Sequence, residues 1–209
     1  MTDFDILHYN NVHEVSIQMG HALYDVFEPT TVEDYGCGIG SMLLGLKKSG
    51  AGPVFGHELV KEAKENAPAD IRGRVNICNI FAPQFKTVPG SDLTLCLEMV
   101  ERLPPERSDD IIKILCQSTS YAGFIVFSTP TMPDNNPSHI NIQPIGKWLI
   151  RFYEYDFLPD IDVYDKLLAA WTEIGAPANY LKNMRVLSRG ARLGKASDAK
   201  GIASSIVRR

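Results

Sequence analysis

The chain has 209 residues, 44% of them hydrophobic and 22% charged, with a formal net charge of −4. That balance fits a soluble globular domain, with or without a tail, whose core is large enough to fold without disulfide or metal staples. It excludes a membrane-spanning chain, because no apolar run approaches the ~20 residues of a span, and the modest charge offers no whole-chain case for nucleic acid or a membrane surface.

In chain order, residues 11–27 read as an amphipathic helix. Val15, Ile17, Met19, Leu23, Val26 and Phe27 are among its apolar positions, and Pro29 stands just past its end. TVEDYG is a short strand running into glycines, and SMLLGLKKSG is a helix closed by Gly50. PVFGHEL is a second strand, followed by a polar-faced helix, VKEAKENA, that stops at Pro68. RVNICNI and DLTLCLEM are the third and fourth strands. ERSDDIIKILCQSTSYAG reads as a helix ending at Gly123, and FIVFSTP as a fifth strand, apolar on both faces. Alternation of strand and helix up to residue 130 predicts an α/β, doubly wound sheet of mostly parallel strands joined by right-handed crossovers. Ligands of such sheets sit beyond the carboxyl ends of the strands. Gly36, Gly38, Gly40, Glu58, Asn79, Glu98 and the loop after Pro130 all fall there.

The glycines make GxGxG, with Ser41 where a dinucleotide fingerprint carries its third glycine. Alone, this is also what a tight turn without a ligand looks like. Two acids sharpen the reading. Asp34 ends the first strand, where a carboxylate is unwelcome beside a pyrophosphate but suits an ammonium group. Glu58 ends the second strand, about twenty residues on, where an acceptor pair can hold ribose hydroxyls and reject a 2′-phosphate.

At this point the residues resemble a family. DYGCGIG is similar to the first motif of class I S-adenosylmethionine-dependent methyltransferases, D-x-G-x-G-x-G, and GHEL falls where they carry their ribose acid. VNICNI resembles their third-strand segment, and SDLTLCLEMVERLP resembles D-L-V-x-x-x-E-V-x-E-H-L-P. SHINIQPIGKWLIRFYEYDF and ANYLKNMRVLSR resemble the H-x-N-x-Q stretch, its helix and the closing strand of a small-molecule or sugar-type branch. The resemblance covers roughly residues 10–189. It implies a seven-stranded Rossmann-like domain over residues 1–189 with an N-terminal helix, and S-adenosyl-L-methionine as cofactor.

The resemblance also implies roles. Backbone N–H groups of Gly36, Cys37, Gly38 and Gly40 approach the cofactor's carboxylate, with the positive end of the helix at Ser41 behind them. Asp34 holds its amino group and Glu58 its ribose. Asn79 and Ile80 face the adenine, and Glu98 lies beside the cofactor towards the substrate. His139 is the expected general base, its ordinary pKa near ~6.5 suiting neutral pH, although a loop-shaping role reads equally well. Asn141 and Gln143 are expected either to hold substrate hydroxyls or to tie down a proline-rich loop. Trp148, with Phe152, Tyr153 and Tyr155, is expected to pack a helix over the site, one or two of these rings touching substrate. The pattern departs from the family at Asn79, where an aspartate is usual, at Arg102 in place of a histidine, and at Ile142 and Pro144.

The expected acceptor is a small molecule, methylated at a hydroxyl. LEMVE at the fourth strand is not the N/D-P-P-Y/F run of DNA-adenine enzymes, and no Pro-Cys pair offers attack on a pyrimidine. From Lys182 onward the chain carries Lys182, Arg185, Arg189, Arg192, Lys195, Lys200, Arg208 and Arg209 against Asp198 alone. Residues 190–209 therefore read as a basic, mobile tail able to track phosphates, which keeps an RNA or other nucleic-acid methyltransferase as an alternative. A non-catalytic cofactor-binding protein is the third reading. Cys37, Cys78, Cys96 and Cys116 form no CxxC, and MTDFDILHYN lacks the basic and apolar parts of a secretory leader. A cytoplasmic protein with reduced thiols is the expectation. The histidines show no metal-ligand spacing.

Overall fold

A computed structural model of the chain describes residues 6–87 and 89–190. The expected tail, beyond Gly190, lies outside the described residues. The elements are α1 (Ile6–Phe27), β1 (Val32–Tyr35), α2 (Ser41–Ser49), β2 (Val54–Glu58), α3 (Lys61–Glu65), α4 (Ala69–Arg72), β3 (Val75–Ile77), β4 (Ser91–Leu97), α5 (Ser108–Ser118), β5 (Thr119–Ser128), α6 (Ile145–Tyr153), β6 (Phe157–Pro159), α7 (Ile161–Glu173), α8 (Ala178–Asn183) and β7 (Arg185–Arg189). One seven-stranded sheet runs β3-β2-β1-β4-β5-β7-β6. β7 alone runs against its neighbours, β5 and β6. The strand order reverses between β1 and β4, which is where a crevice opens at the carboxyl edge.

Alternation along the strands sorts the core into two faces. Leu93, Leu95 and Val126 point towards α1, α2 and α7, and meet Met19, Leu43 and Trp171. Cys96, Ile125 and Phe127 point the other way, towards Ile112 and Leu115 of α5 and Phe152 of α6. α1 crosses α2 at close range, because a Cβ on Gly20 or Gly45 would strike the other helix's backbone. His13 Nδ1 bonds Ser41 Oγ at 2.7 Å and His21 Nδ1 bonds Ser49 Oγ at 2.6 Å, so these histidines pin α1 to both ends of α2. The indole N–H of Trp171 donates to Met19 O at 3.3 Å and ties α7 to the same helix.

Local chemistry moves three expected boundaries. The helix expected to run to Gly123 stops at Ser118, because Ser118 Oγ and Thr119 Oγ1 donate to Ile114 O and Leu115 O and satisfy the last turn. Thr119 then pairs with Ser91, and the chain continues as a ten-residue strand. After Pro68, where a helix was expected to stop, the chain makes one more turn, α4. β6 and α7 carry no expectation above. Asp160 starts α7 by accepting from Val163 N at 3.3 Å.

Candidate functional site

The glycine turn leaves β1 with Gly36, Gly38 and Gly40 at φ 81°, 53° and 76°, a left-handed run that L side chains resist. The turn brings backbone amides to the start of α2. Cys37 shares the loop, but its N–H donates to His57 O at 3.4 Å and its thiol lies against Gly56. Burial pushes that thiol well above its ordinary pKa. The first turn of α1 covers the loop, since a Cβ on Gly38 would run into the Tyr9 ring. Tyr9 is pushed up to about 12 by burial first and by Glu58 next.

Two carboxylates flank this turn. Asp34 is 5% exposed, and no described residue donates a hydrogen bond to its side chain. Burial, then the charge of Glu58, raises it to about 7. Glu58 Oε2 accepts from Gly38 N at 3.0 Å, while Oε1 accepts from Leu59 N at 2.7 Å and Val60 N at 3.3 Å. A carboxylate offers about four acceptor positions, so one remains for a ligand hydroxyl. Beyond β3, Asn79 is exposed and its Oδ1 accepts from Phe81 N at 3.0 Å, which turns its amide N–H groups outward. Ile80 is half-buried against the second face of the core.

The fourth strand ends in strain. Glu98 holds φ 51° and donates its N–H to Ser128 O at 3.0 Å. A side chain in that region costs on the order of 1 kcal/mol and persists where surrounding contacts enforce it. Asn179 Nδ2 and Asn183 Nδ2 of α8 donate to the two oxygens of Glu98 at 3.2 and 3.3 Å. Tyr180 of α8 is pushed up by burial and then by Glu98, Tyr9, Asp34 and Glu101, so these groups share one negative field.

Glu101, three residues on, is fully buried. Its Oε2 accepts from Thr129 Oγ1 at 3.3 Å, and its Oε1 has no hydrogen-bond partner. Burial is the main cause that lifts it to about 8. Oε1 faces Arg102 Nε at 3.8 Å and His139 Nε2 at 3.9 Å. His139 Nδ1 lies 2.7 Å from Asp134 Oδ2, and its Nε2 lies 3.1 Å from Asn136 Nδ2. Asn136 Oδ1 accepts from Ser138 N, so the amide turns its N–H to the ring. In this arrangement the ring's Nε2 faces the Asn136 amide and its Nδ1 faces the Asp134 carboxylate.

Of the three residues expected at the substrate, Asn141 and Gln143 lie further along this loop and Trp148 lies on α6. Asn141 is 2% exposed; its Nδ2 donates to Val100 O and Ser108 Oγ at 3.3 and 3.1 Å. Gln143 Nε2 donates to Asn141 Oδ1 at 2.6 Å and to Ser108 Oγ at 3.1 Å, and its Oε1 accepts from Arg151. Trp148 is fully buried against Phe127. The structure thus brings Asp34, Glu58, Glu98 and the glycines to one edge, with His139 beside Glu101. Asn141, Gln143 and Trp148 form a brace behind that edge, their polar groups spent on one another or enclosed. Sequence reasoning missed Tyr9, Glu101, Asn179, Tyr180 and Asn183. Only Glu101 left a local signal, an acid three residues after Glu98.

The fold matches known structures. An O-methyltransferase from a polyketide synthase multienzyme of Brevibacillus brevis, solved with S-adenosyl-L-homocysteine, aligns over 97% of this chain and 82% of its own at 14% identity, with TM-score 0.63. A SAM-dependent methyltransferase from Archaeoglobus fulgidus aligns over 88% and 98% at 13% identity, with TM-score 0.61. The chain has the class I methyltransferase fold. The [4+2]-cyclase SpnF shares it too, over 82% and 79% at 12% identity, with TM-score 0.55, so the fold by itself does not dictate the chemistry. No family model matches the sequence, and no curated protein matches it. No described helix is long and apolar enough to cross a membrane. Among the described residues no cluster of histidines, cysteines and acids could hold a metal, and the four cysteines are free thiols.

Proposed function

We propose that this chain binds S-adenosyl-L-methionine in the glycine-turn crevice and transfers its methyl group to a hydroxyl of a small molecule, using one catalytic domain over residues 1–189. The observation that carries the reading is Asp34, a buried carboxyl beneath the glycine turn with no described donor. Its raised pKa marks a site that gains by taking a cation and would be hostile to a diphosphate. The fold match is consistent with this cofactor.

The residues fit the group. Asp34 suits its ammonium and the remaining acceptor position of Glu58 a ribose hydroxyl, whereas the N–H groups of Gly36, Cys37, Gly38 and Gly40, expected at its carboxylate, already donate to His57 O, Glu58 Oε2 and Cys37 O, which leaves that carboxylate to the positive start of α2. Asn79 and Ile80 stand at the adenine side, and Glu98 at the substrate side. When bound, the cofactor supplies a transferable methyl on a cationic sulfur, and the surrounding acids stabilise that charge. The chain's own part is to place the acceptor oxygen and remove its proton. Nε2 of His139 takes the proton once the acceptor displaces the Asn136 amide, which lies 3.1 Å from that nitrogen. Asp134 steadies the ring through Nδ1. The imidazolium that results lies 3.9 Å from Glu101 Oε1, an oxygen with no hydrogen-bond partner.

Calorimetry with S-adenosylhomocysteine tests the cofactor. Heat with that nucleoside and none with NAD supports the reading; tight NAD binding with no heat from the nucleoside overturns it. A second reading, methylation of nucleic acid, draws on the basic residues beyond Lys182. Salt-dependent RNA binding abolished by removing residues 190–209 would favour it. A non-catalytic binder, the third reading, would bind the cofactor yet label no extract fraction.

A further inference from the structure

We propose that a cleft between α7, α8 and the start of β7 is a subsite for an oxyanion, a carboxylate or phosphate carried by the methyl acceptor. The proposal rests on the methyl-transfer reading for the identity of its ligand, but not for the anion site itself. Pro159, Ile161, Tyr164, Lys182, Arg185 and Val186 line the cleft, whose volume is about 220 Å³. A ligand-sized pocket is larger, ≈ 300 Å³ and upwards, so this space fits a head group rather than a whole molecule.

Its charge is one-sided. Two cations and a phenol line it, and no carboxylate does. Arg185 is half-buried, and its Nη1 donates only to main-chain oxygens, Met184 O at 2.6 Å and Lys182 O at 3.5 Å. Among the described residues it makes no ion pair. Burial pulls its pKa down, which marks a guanidinium without a counter-charge. The nearby Asp160 is already spent, accepting from Val163 N and from Ser188 Oγ at 2.8 Å. A partly desolvated guanidinium beside an ammonium gains most from a planar or tetrahedral oxyanion.

The cleft also lies at the working edge of the sheet. Arg185 pairs with Phe127 near the carboxyl end of β5. Lys182 shares α8 with Asn179 and Asn183, which hold Glu98. One short helix therefore separates the cationic cleft from the acidic site, and an acceptor reaching both would carry its anion on one side of α8 and its reacting hydroxyl on the other.

The test is titration of the full-length ¹⁵N-labelled protein with inorganic phosphate and, separately, with acetate at constant ionic strength. Saturable amide shifts at Tyr164 and residues 182–186 are expected, weakened about tenfold in Arg185→Gln and less in Lys182→Gln, with S-adenosylhomocysteine heat retained in both. A response to phosphate alone assigns a phosphate ester, and to acetate alone a carboxylate. No saturable shift with either anion, or shifts that Arg185→Gln leaves unchanged, overturns the proposal. An oligonucleotide that binds equally well to Arg185→Gln, with shifts spread beyond the cleft, does so too. Phosphate binding without S-adenosylhomocysteine heat would keep the anion site and fault the methyl-transfer reading instead.

Discussion

The two halves of the ligand edge hold their carboxylates by different means. At β1 and β2, Glu58 is gripped by three backbone N–H groups, one from the left-handed glycine turn and two from the residues just after β2. At β4 and β5, Glu98 is held by two asparagine side chains, and Glu101 by a single hydroxyl with one oxygen left over. A main-chain grip is set by local fold and loses little entropy on binding. A side-chain grip depends on rotamers contributed by distant segments and can shift as charge moves. On the proposed function, the first half would hold a constant ligand and the second would follow a proton.

Four experiments would break or sharpen that contrast. The largest effect is expected from Asp34→Ala, which should weaken S-adenosylhomocysteine about 10²-fold in calorimetry, as loss of a buried charge partner does. A variant that binds like the parent places the ammonium elsewhere. Next, His139→Ala should slow methyl transfer about 10²-fold with cofactor affinity kept. Glu101→Gln should slow it less, about tenfold, and move the acidic limb of the pH–rate profile. Unchanged turnover in both variants returns this pair to a structural role.

A smaller effect is expected behind the site. Asn141→Ala removes a buried amide that bridges the residue 100–108 segment to the loop, and should cost about 1–3 kcal/mol in denaturant unfolding with the cofactor constant unchanged. A stability like the parent's combined with a lost substrate response would return Asn141 to the substrate pocket. The smallest is a pH slope. Asp34 and Glu101 are both raised in the folded chain, to about 7 and about 8. The folded state therefore holds protons that the unfolded state releases above pH ~4. Stability should fall as pH rises from about 4 to about 8, by at most about 1.4 kcal/mol per pH unit for each group. Asp34→Asn should flatten the slope towards pH 7, and bound cofactor should do the same by favouring the carboxylate. A parent whose stability rises over that window contradicts both shifts.

Much of the first half was readable along the chain. Asp34, the three glycines and Glu58 sit within one strand–turn–helix–strand unit, and strand-end position alone brings them together. The second half was read only in part. Glu98 at a strand end and His139 on the loop after the fifth strand stood out as chemistry-bearing residues, but their surroundings did not. Asn141 and Gln143 looked as much like substrate ligands as loop ties. What spends their amides is Ser108, more than thirty residues away in sequence. Trp148 was readable as an aromatic at helical spacing, a pattern that does not say which ring faces out.

By itself, the sequence determined the α/β alternation, the glycine turn and the acids at the strand ends, because period, turn chemistry and strand termination are local properties of a chain. The tertiary structure decided which groups share a field. It set Tyr9 over Gly38, Asn179 and Asn183 on Glu98, and His139 across from the unpartnered oxygen of Glu101. Those meetings join segments up to 85 residues apart. They follow from how helices pack across the sheet's edge, which no short window of sequence encodes.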